Sequence, residues 1–333
     1  MKKANQLKKE HHYVWANYLR NWSVTKNKVW FRSAKGKLVE DSVKMIAKER
    51  HFYHIKPITE DNIKLIKLMS AKSEIREEHM SLLEHFIHVQ NMEVLYKNSN
   101  LQNDQAEEAF AAHKHNSLEN LHTAYEQSAA YALKSLTNKD LSFLDNTEHL
   151  VGFFNYLGQQ FARTKAFKDL ALLTMSKGDS KESQWIHKNS EECWWFLSHM
   201  LGGNVGCSMY TTRNSYKNCL LINETDIPFI TSDCPSVNVH PDFERDTFQP
   251  PTEEQFDLYY PISPTVAYVY CSSNQFADGV SKVDIDTVVK LNTETAKGAY
   301  IHIFGNSEES LKTYKKYVGE RYDKVQAFVN MKQ

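Results

Sequence analysis

A long stretch without proline is the feature that most constrains the fold. No proline occurs between Pro57 and Pro228. Because proline breaks helix interiors, such a stretch is free to form long helices. Apolar side chains recur within it at helical spacing, first as Ile75, Met80, Leu83, Phe86, Ile87 and Val94 and later as Phe153, Phe154, Leu157 and Phe161. The spacing predicts a helical region over residues 59–205.

Strand signals lie on both sides of this region. The sequence pattern of residues 11–58 predicts a short helix and a hairpin. The pattern of residues 206–333 predicts strands followed by two helices. Helices and strands that segregate along a chain favour an α+β fold. We therefore expect an antiparallel sheet formed by the N-terminal hairpin and the C-terminal third. Residues 1–10 are expected to be a flexible basic tail, and residues 11–333 a single compact domain.

Bulk properties exclude several classes of protein. The net charge of -1 gives no general attraction to nucleic acid. The five cysteines contain no CxxC pair, which disfavours a cysteine-based zinc site. No apolar stretch is long enough for a membrane span, and no secretory signal is apparent, so the expected location is cytoplasmic. Motifs for phosphate-binding loops, dinucleotide folds and serine hydrolases are absent from the sequence.

Four short motifs recur in the order of a known family. They read HHYV at residues 11–14, QQFART at 159–164, TSDCP at 231–235 and PISP at 261–264. The chain resembles domain-of-unknown-function family 4238, which is found mainly in bacteria. Trp15 and Lys165 stand where that family usually has proline. The resemblance implies no established activity, although some relatives look like components of bacterial defence loci.

The HHYV motif supplies the first candidate residues. Adjacent residues of an extended segment point to opposite sides, so only one of His11 and His12 can face a given site. A histidine there can act as a general base or a metal ligand, and it can also fix the chain by bonding a carbonyl. Both alternatives stay open from the sequence.

Asp233 and Arg163 supply the other candidates. Asp233 follows a short apolar segment and precedes Pro235, which places a carboxylate at a strand end, where it suits either catalysis or a turn. Gln159 and Arg163 lie one turn apart on an apolar, buried helix. A buried arginine needs an anion, so Asp233, Glu78 or a substrate phosphate is the expected partner.

These residues lead to the hypothesis of a hydrolase-like enzyme. In its specific form the enzyme is a metal-assisted nuclease that acts in bacterial anti-phage defence together with a protein partner. His12, Asp233 and Glu78 would bind a divalent metal ion, with His12, Asp233 and Arg163 as the catalytic residues. Arg163, Gln159, His11 and Tyr13 would contact a phosphate-containing ligand or nucleic acid. We also expect HHYV and TSDCP to share one sheet. The alternatives are a non-catalytic binding or regulatory module and a nucleotide sensor, in which the motif residues are structural.

Overall fold

A computed structural model describes residues 6–25, 27–101, 103–175, 178, 180–243 and 251–331. Its first part is a small mixed module, as predicted. Strand β1 (Glu10–His12) precedes helix α1 (Ala16–Leu19) and a 3-10 turn, and β2 (Lys28–Arg32) and β3 (Leu38–Ser42) form the expected hairpin. Strand β4 (Lys48–Arg50) pairs with β1 in a separate antiparallel ribbon.

The middle of the chain is helical, as its lack of proline predicts. Its helices are α2 (Glu60–Met69), α3 (Arg76–Asn98), α4 (Asp104–Ser128), α5 (Ala130–Thr137), α6 (Thr147–Ala162), α7 (Lys165–Met175), α8 (Lys181–Glu192) and α9 (Trp194–Thr211). Thr59 starts α2 with a capping box that includes Asn62. Throughout the described ranges, the helices lack the combination of length and apolar character needed to cross a membrane.

The C-terminal third carries strands and further helices. The strands are β5 (Lys217–Asn223), β6 (Thr231–Ser232), β7 (Val237–Asn238), β8 (Asp257–Ser263), β9 (Val266–Cys271), β10 (Gly279–Val283) and β11 (Ile303–Gly305). The helices are α10 (Ile285–Gly298), α11 (Glu308–Lys312) and α12 (Glu320–Met331). The second of the two helices expected in this region is divided into α11 and α12, and Gly319 between them has a left-handed φ of 91°.

The α+β class is confirmed, and the N-terminal hairpin pairs with C-terminal strands in an antiparallel sheet, as expected. The C-terminal third also forms a second sheet. One sheet has five strands in the order β10-β5-β9-β8-β7, and another has four in the order β3-β2-β11-β6. The N-terminal hairpin joins the later strands only through β11. Strand β10 runs parallel to β5, because the chain crosses over after β9 and returns on the far side of β5.

The expectation that HHYV and TSDCP share a sheet is wrong. His11 and His12 lie in β1, which pairs with β4, whereas Thr231 and Ser232 form β6, which pairs with β11. Residues 1–10 are expected to form a flexible basic tail, and one residue of their described part contacts the helical region. Lys8 donates its backbone N–H to Asn116 Oδ1 on α4 at 2.8 Å.

Aromatic side chains of α1 and the following turn attach the N-terminal module to the C-terminal strands. The Tyr18 hydroxyl donates to the Pro261 carbonyl at 2.7 Å, and the Trp22 indole N–H donates to the Phe229 carbonyl at 2.8 Å. Both side chains are buried. Because a buried indole or phenol needs a hydrogen-bond partner, these contacts fix the orientation of both rings. The PISP motif, through the carbonyl of Pro261, is therefore one of the points at which the N-terminal module contacts the C-terminal strands.

Helices α6 and α9 approach each other so closely that only glycine fits between them. A Cβ atom on Gly158 would lie 2.2 Å from the Gly202 carbonyl oxygen and 2.7 Å from the Gly206 nitrogen. Both neighbours are backbone atoms, which cannot rotate away. This close approach brings the polar residues at the end of α6 beside α9.

Replacement of Gly158 with alanine is expected to lower the free energy of unfolding by about 1–3 kcal/mol, because the new methyl group separates the two helices. Gly203→Ala is the matched control. Its Cβ would lie 3.1 Å from the flexible end of Ile75, so the change should stay within about 1 kcal/mol, partly offset by the better helix propensity of alanine. Urea unfolding followed by circular dichroism measures both, and equal stability of the two variants would contradict the packing argument.

Candidate functional site

The HHYV motif is built into the structure by its own hydrogen bonds. His11 is fully buried. Its Nε2 lies 2.9 Å from the Lys8 carbonyl, and its Nδ1 accepts the Tyr53 backbone N–H at 2.8 Å. These partners require Nε2 to carry the proton and leave neither nitrogen available. The Tyr13 carbonyl accepts from Gln160 Nε2 at 2.9 Å. His11 and the main chain of Tyr13 thus anchor the segment.

Asp233 fastens one loop to the end of β6. Its carboxylate accepts the backbone N–H groups of Tyr300 at 2.8 Å, Ile301 at 2.7 Å and His302 at 2.9 Å. The side chain is buried. Burial raises the pKa of Asp233, while nearby His302 and the three N–H donors act in the opposite direction. The carboxylate therefore has a structural role of the kind that a strand-end aspartate commonly plays.

Arg163 is buried, as its apolar helix predicts, but its anion is neither Asp233 nor Glu78. Its Nη1 donates to Glu126 Oε1 on α4 at 2.8 Å, and its Nη2 donates to Gln160 Oε1 at 2.7 Å. Arg163 is 2% exposed. The carboxylate of Glu126 raises the pKa of Arg163 against the effect of burial. The expected partners lie elsewhere, since Asp233 binds backbone and Glu78 is exposed on α3.

The predicted metal ligands do not come together. His12 lies in β1, Glu78 lies on an exposed face of α3, and Asp233 holds the loop at residues 300–302. Across the ranges that the structure covers, no group of three or more histidine, cysteine, aspartate or glutamate side chains is arranged to hold a metal ion. The residue types suited metal chemistry, but the chain places them on separate elements.

A cluster of polar side chains surrounds Arg163 where β1, α4, α6 and α9 meet. We call it the Arg163 cluster, and its members are His12, Glu119, His122, Glu126, Gln159 and Arg163. Several of its buried atoms have no hydrogen-bond partner: His12 Nε2, Glu119 Oε2, His122 Nδ1, Gln159 Oε1 and Arg163 Nε. Each unsatisfied buried polar atom costs about 1–3 kcal/mol, so their concentration at one place requires an explanation.

Glu119 is the most perturbed acid of the cluster. Burial raises its pKa to about 7, Glu126 adds to the rise, and Arg163 opposes it. Burial also lowers the pKa of His12 and of His122. An acid poised near neutrality beside neutral imidazoles is an arrangement often found at functional sites. The sequence places Glu119 and His122 three residues apart, yet nothing in it shows that Arg163 lies beside them.

An open groove lies next to residues of the QQFART and TSDCP motifs. Two adjoining hollows, each of about 370 Å³, share Val237, Phe243, Gly298 and Arg321. We call them together the α7–α12 groove. One hollow is largely apolar and aromatic, and its lining includes Phe161, Phe167, Leu170, Tyr300, Tyr322 and Val325. The other is largely charged, and its lining includes His240, Lys290, Glu294, Lys297, Glu320 and Lys324.

Two of the four family motifs, QQFART and TSDCP, meet at this groove. Gln160 and Thr164 of QQFART and Cys234 of TSDCP line the aromatic hollow. Asp233, the neighbour of Cys234, holds the backbone of Tyr300, which forms part of the wall. Tyr300, Arg321 and Lys297 were not among the predicted site residues. Lysine, arginine and tyrosine on or beside amphipathic C-terminal helices give no signal that distinguishes a groove from a solvated face.

Fold and site together define an α+β protein with a buried polar cluster around Arg163 and an open groove of ligand size next to it. The chain belongs to the family described as "Protein of unknown function (DUF4238)", whose sequence model matches residues 10–309. This match confirms the resemblance drawn from the motifs. No curated protein and no solved structure matches the chain.

Glu119 gives the site a measurable pH dependence. Its folded pKa of about 7 lies above its ordinary value of 4.5, so the stability it contributes is complete below pH 4.5 and is lost as pH rises through 7. Glu119→Gln should therefore raise the free energy of unfolding at pH 8 by up to about 3 kcal/mol, and by much less at pH 5.

Urea unfolding at the two pH values measures this difference. The control is Glu309→Gln, an equal charge change at a side chain that is 84% exposed, and it should leave stability unchanged at both. A Glu119→Gln variant that gains no more at pH 8 than at pH 5 would show that Glu119 ionises as an ordinary surface acid.

Proposed function

We propose that the protein is a non-catalytic, ligand-binding module of regulatory type whose α7–α12 groove takes a mononucleotide. The observation that carries the proposal is the pairing of an aromatic hollow with a cationic one around Arg321. A nucleotide has the same two halves, a flat base and an anionic phosphate chain. The hollows are within the size range of pockets that bury small ligands.

The aromatic hollow suits a base. Tyr300 and Tyr322 lie with ring centroids 4.7 Å apart, and Phe161 and Phe167 lie 5.1 Å apart. The Tyr300 hydroxyl donates to Asp169 Oδ2 at 3.0 Å, which holds that ring in place. Stacking of a base on such rings contributes about 1–3 kcal/mol.

The charged hollow suits phosphate. Lys290, Lys297, Arg321 and Lys324 contribute four positive charges there, against the carboxylates of Glu294 and Glu320. Lys297 already lies 3.6 Å from Glu294, and Lys324 lies 3.0 Å from Glu320. Both pairs are partly exposed and therefore weak, so these lysines can turn to an incoming phosphate. The excess of positive charge attracts an anion of limited size, whereas the whole-chain charge of -1 does not favour a long nucleic acid.

The motif residues support the groove in this proposal. Asp233 holds the Tyr300 backbone, and Gln160 connects the aromatic hollow to Arg163. The metal-assisted nuclease stays a prediction, as do a role in anti-phage defence and a protein partner in it. The binding module is favoured because Asp233 and Arg163 already have buried partners for their charged groups.

A panel of nucleoside mono-, di- and triphosphates tests the proposal by differential scanning fluorimetry and isothermal titration calorimetry. At least one nucleotide should raise the Tm saturably, and the affinity should fall as salt is added, because phosphate contacts are screened. Lys297→Ala should weaken binding about tenfold, which corresponds to about 1.4 kcal/mol. Lys312→Ala is the control, since that lysine lies on α11 with 64% of its side chain exposed.

Absence of any saturable nucleotide effect would contradict the proposal, as would equal affinity in the two lysine variants. Incubation with DNA and RNA in the presence of Mg²⁺ or Mn²⁺ tests the competing hypothesis. The binding module predicts no cleavage that disappears on His12→Ala. Metal-dependent cleavage lost in that variant would establish the nuclease instead.

A further inference from the structure

A tight turn after β4 carries two histidines onto helix α4. His51 has a left-handed φ of 62°, and its carbonyl accepts the His54 N–H at 3.1 Å, which closes the turn. The Ile55 N–H then donates to the Lys114 carbonyl at 3.0 Å, which fastens the turn to α4. Because His115 follows Lys114 in α4, these backbone bonds bring together three histidines from two distant segments.

The imidazole rings of the three histidines contact one another. The His115 ring centroid lies 4.5 Å from that of His54 and 5.0 Å from that of His51, and the latter two are 6.0 Å apart. All three residues line a cavity of about 440 Å³, which we call the histidine pocket. His51 is exposed, and His54 and His115 are partly exposed, so a ligand can reach them. The volume is within the range of pockets that bury small organic molecules.

Aromatic side chains form another part of the lining, and they belong to Phe52, Trp194 and Trp195. The Trp194 ring lies 5.9 Å from that of Phe167, and the Trp195 ring lies 5.0 Å from that of Phe86. These neighbours hold the two indoles in place, which gives the pocket a preformed aromatic surface. Such a surface suits the aromatic ring of a ligand.

The fixed charges of the pocket nearly cancel. The lining contributes three carboxylates and two ammonium groups, those of Glu49, Glu191, Glu192, Lys56 and Lys168. The Lys165 ammonium lies 2.6 Å from the Glu49 carboxylate. The Lys188 ammonium lies 4.0 Å from the Glu192 carboxylate. Three negative charges therefore face four positive charges, and protonation of the histidines decides how strongly the pocket attracts an anion.

The surroundings of the histidines oppose their protonation. Burial lowers the pKa of His54 and of His115, and neighbouring histidines and lysines lower both further. The groups that act on one or both of them in this way are each other, His51, Lys114, His11, Lys56 and Lys9. An anion in the pocket offsets this repulsion between positive charges, whereas a metal ion adds to it.

We propose that the histidine pocket binds a small aromatic oxyanion, with its anionic oxygens at His54 and His115 and its ring against the aromatic part of the lining. Protonated imidazoles donate charge-assisted hydrogen bonds to such oxygens. A metal ion fits less well, because the lysines repel it and the described part of the chain has no three ligand side chains arranged to hold one. Among the described residues, the pocket shares none of its lining with the α7–α12 groove. The proposal therefore does not depend on nucleotide binding.

Binding of the anion is coupled to protonation of the histidines. The anion favours the imidazolium form, so binding takes up a proton and strengthens as pH falls. For one histidine with the ordinary pKa of 6.5, the protonated fraction rises about thirtyfold from pH 8 to pH 5.5. A lowered pKa makes this rise larger. The affinity for the anion should rise by about the same factor or more.

Titration with phenyl sulfate at constant ionic strength tests the proposal, because the charge of this anion is the same at both pH values. Isothermal titration calorimetry should detect saturable binding at pH 5.5 and binding about thirtyfold weaker at pH 8. Calorimetry in buffers of different ionisation enthalpy should detect the uptake of a proton. Inorganic sulfate, which lacks the ring, should bind more weakly than phenyl sulfate.

His54→Asn and His115→Asn each remove one protonatable ring and keep a polar side chain. Each should weaken phenyl sulfate binding at pH 5.5 about tenfold, and the double variant should abolish it. His88→Asn is the matched control, since His88 is exposed on α3 outside the lining. Lys297→Ala tests whether the α7–α12 groove is responsible. Both of these variants should bind phenyl sulfate as tightly as the unaltered protein.

Circular dichroism confirms that each variant is folded, and the pH dependence of the unaltered protein tests the proposal without any variant. Three results would overturn the proposal: no saturable binding of phenyl sulfate at pH 5.5, equal affinity at pH 5.5 and pH 8, or undiminished affinity in the double variant. Stabilisation by Zn²⁺ at pH 8 that is lost in His115→Asn would also overturn it, because that result would establish a metal site instead.

Discussion

The buried ion pair between Arg163 and Glu126 is the interaction on which the rest of the structure depends. Arg163 ends α6, and Glu126 lies near the end of α4, so the pair joins two helices of the middle region. Arg163 Nη2 donates to Gln160 Oε1, and Gln160 Nε2 donates to the Tyr13 carbonyl. The Tyr53 hydroxyl donates a hydrogen bond to the Arg163 carbonyl at 3.2 Å. One arginine thus links the N-terminal segment, α4 and α6.

The same arrangement separates the two candidate sites. Gln160 lines the aromatic hollow of the α7–α12 groove on one side and bonds Arg163 on the other. The Arg163 cluster contacts the hydrophobic core that contains Tyr53, because the Tyr53 hydroxyl donates to the Arg163 carbonyl. Buried polar groups beside an apolar core are stable only if they find partners.

Local structure in this protein follows from its sequence, whereas the pairing of distant segments does not. The helical middle, the N-terminal hairpin and the burial of Arg163 follow from periodicity, turn residues and apolar surroundings. The identity of the partner of Arg163 did not follow, because Glu126 is one of many acids on amphipathic helices and only tertiary packing selects it. His12 and Asp233 were expected on one sheet, yet backbone pairing of β1 with β4 separates them. The groove was missed because its walls come from α6, α7, α10 and α12, which no local pattern relates.

A double-mutant cycle on Arg163→Met and Glu126→Leu tests the central claim most directly. Each single variant leaves one buried charge without its partner and should lose about 3–5 kcal/mol of unfolding free energy. The double variant removes both charges and should lose less than the sum of the two, by about 1–3 kcal/mol. Urea unfolding of the four proteins gives the coupling energy. Additive losses would show that the two side chains act independently and that the structure does not depend on their pairing.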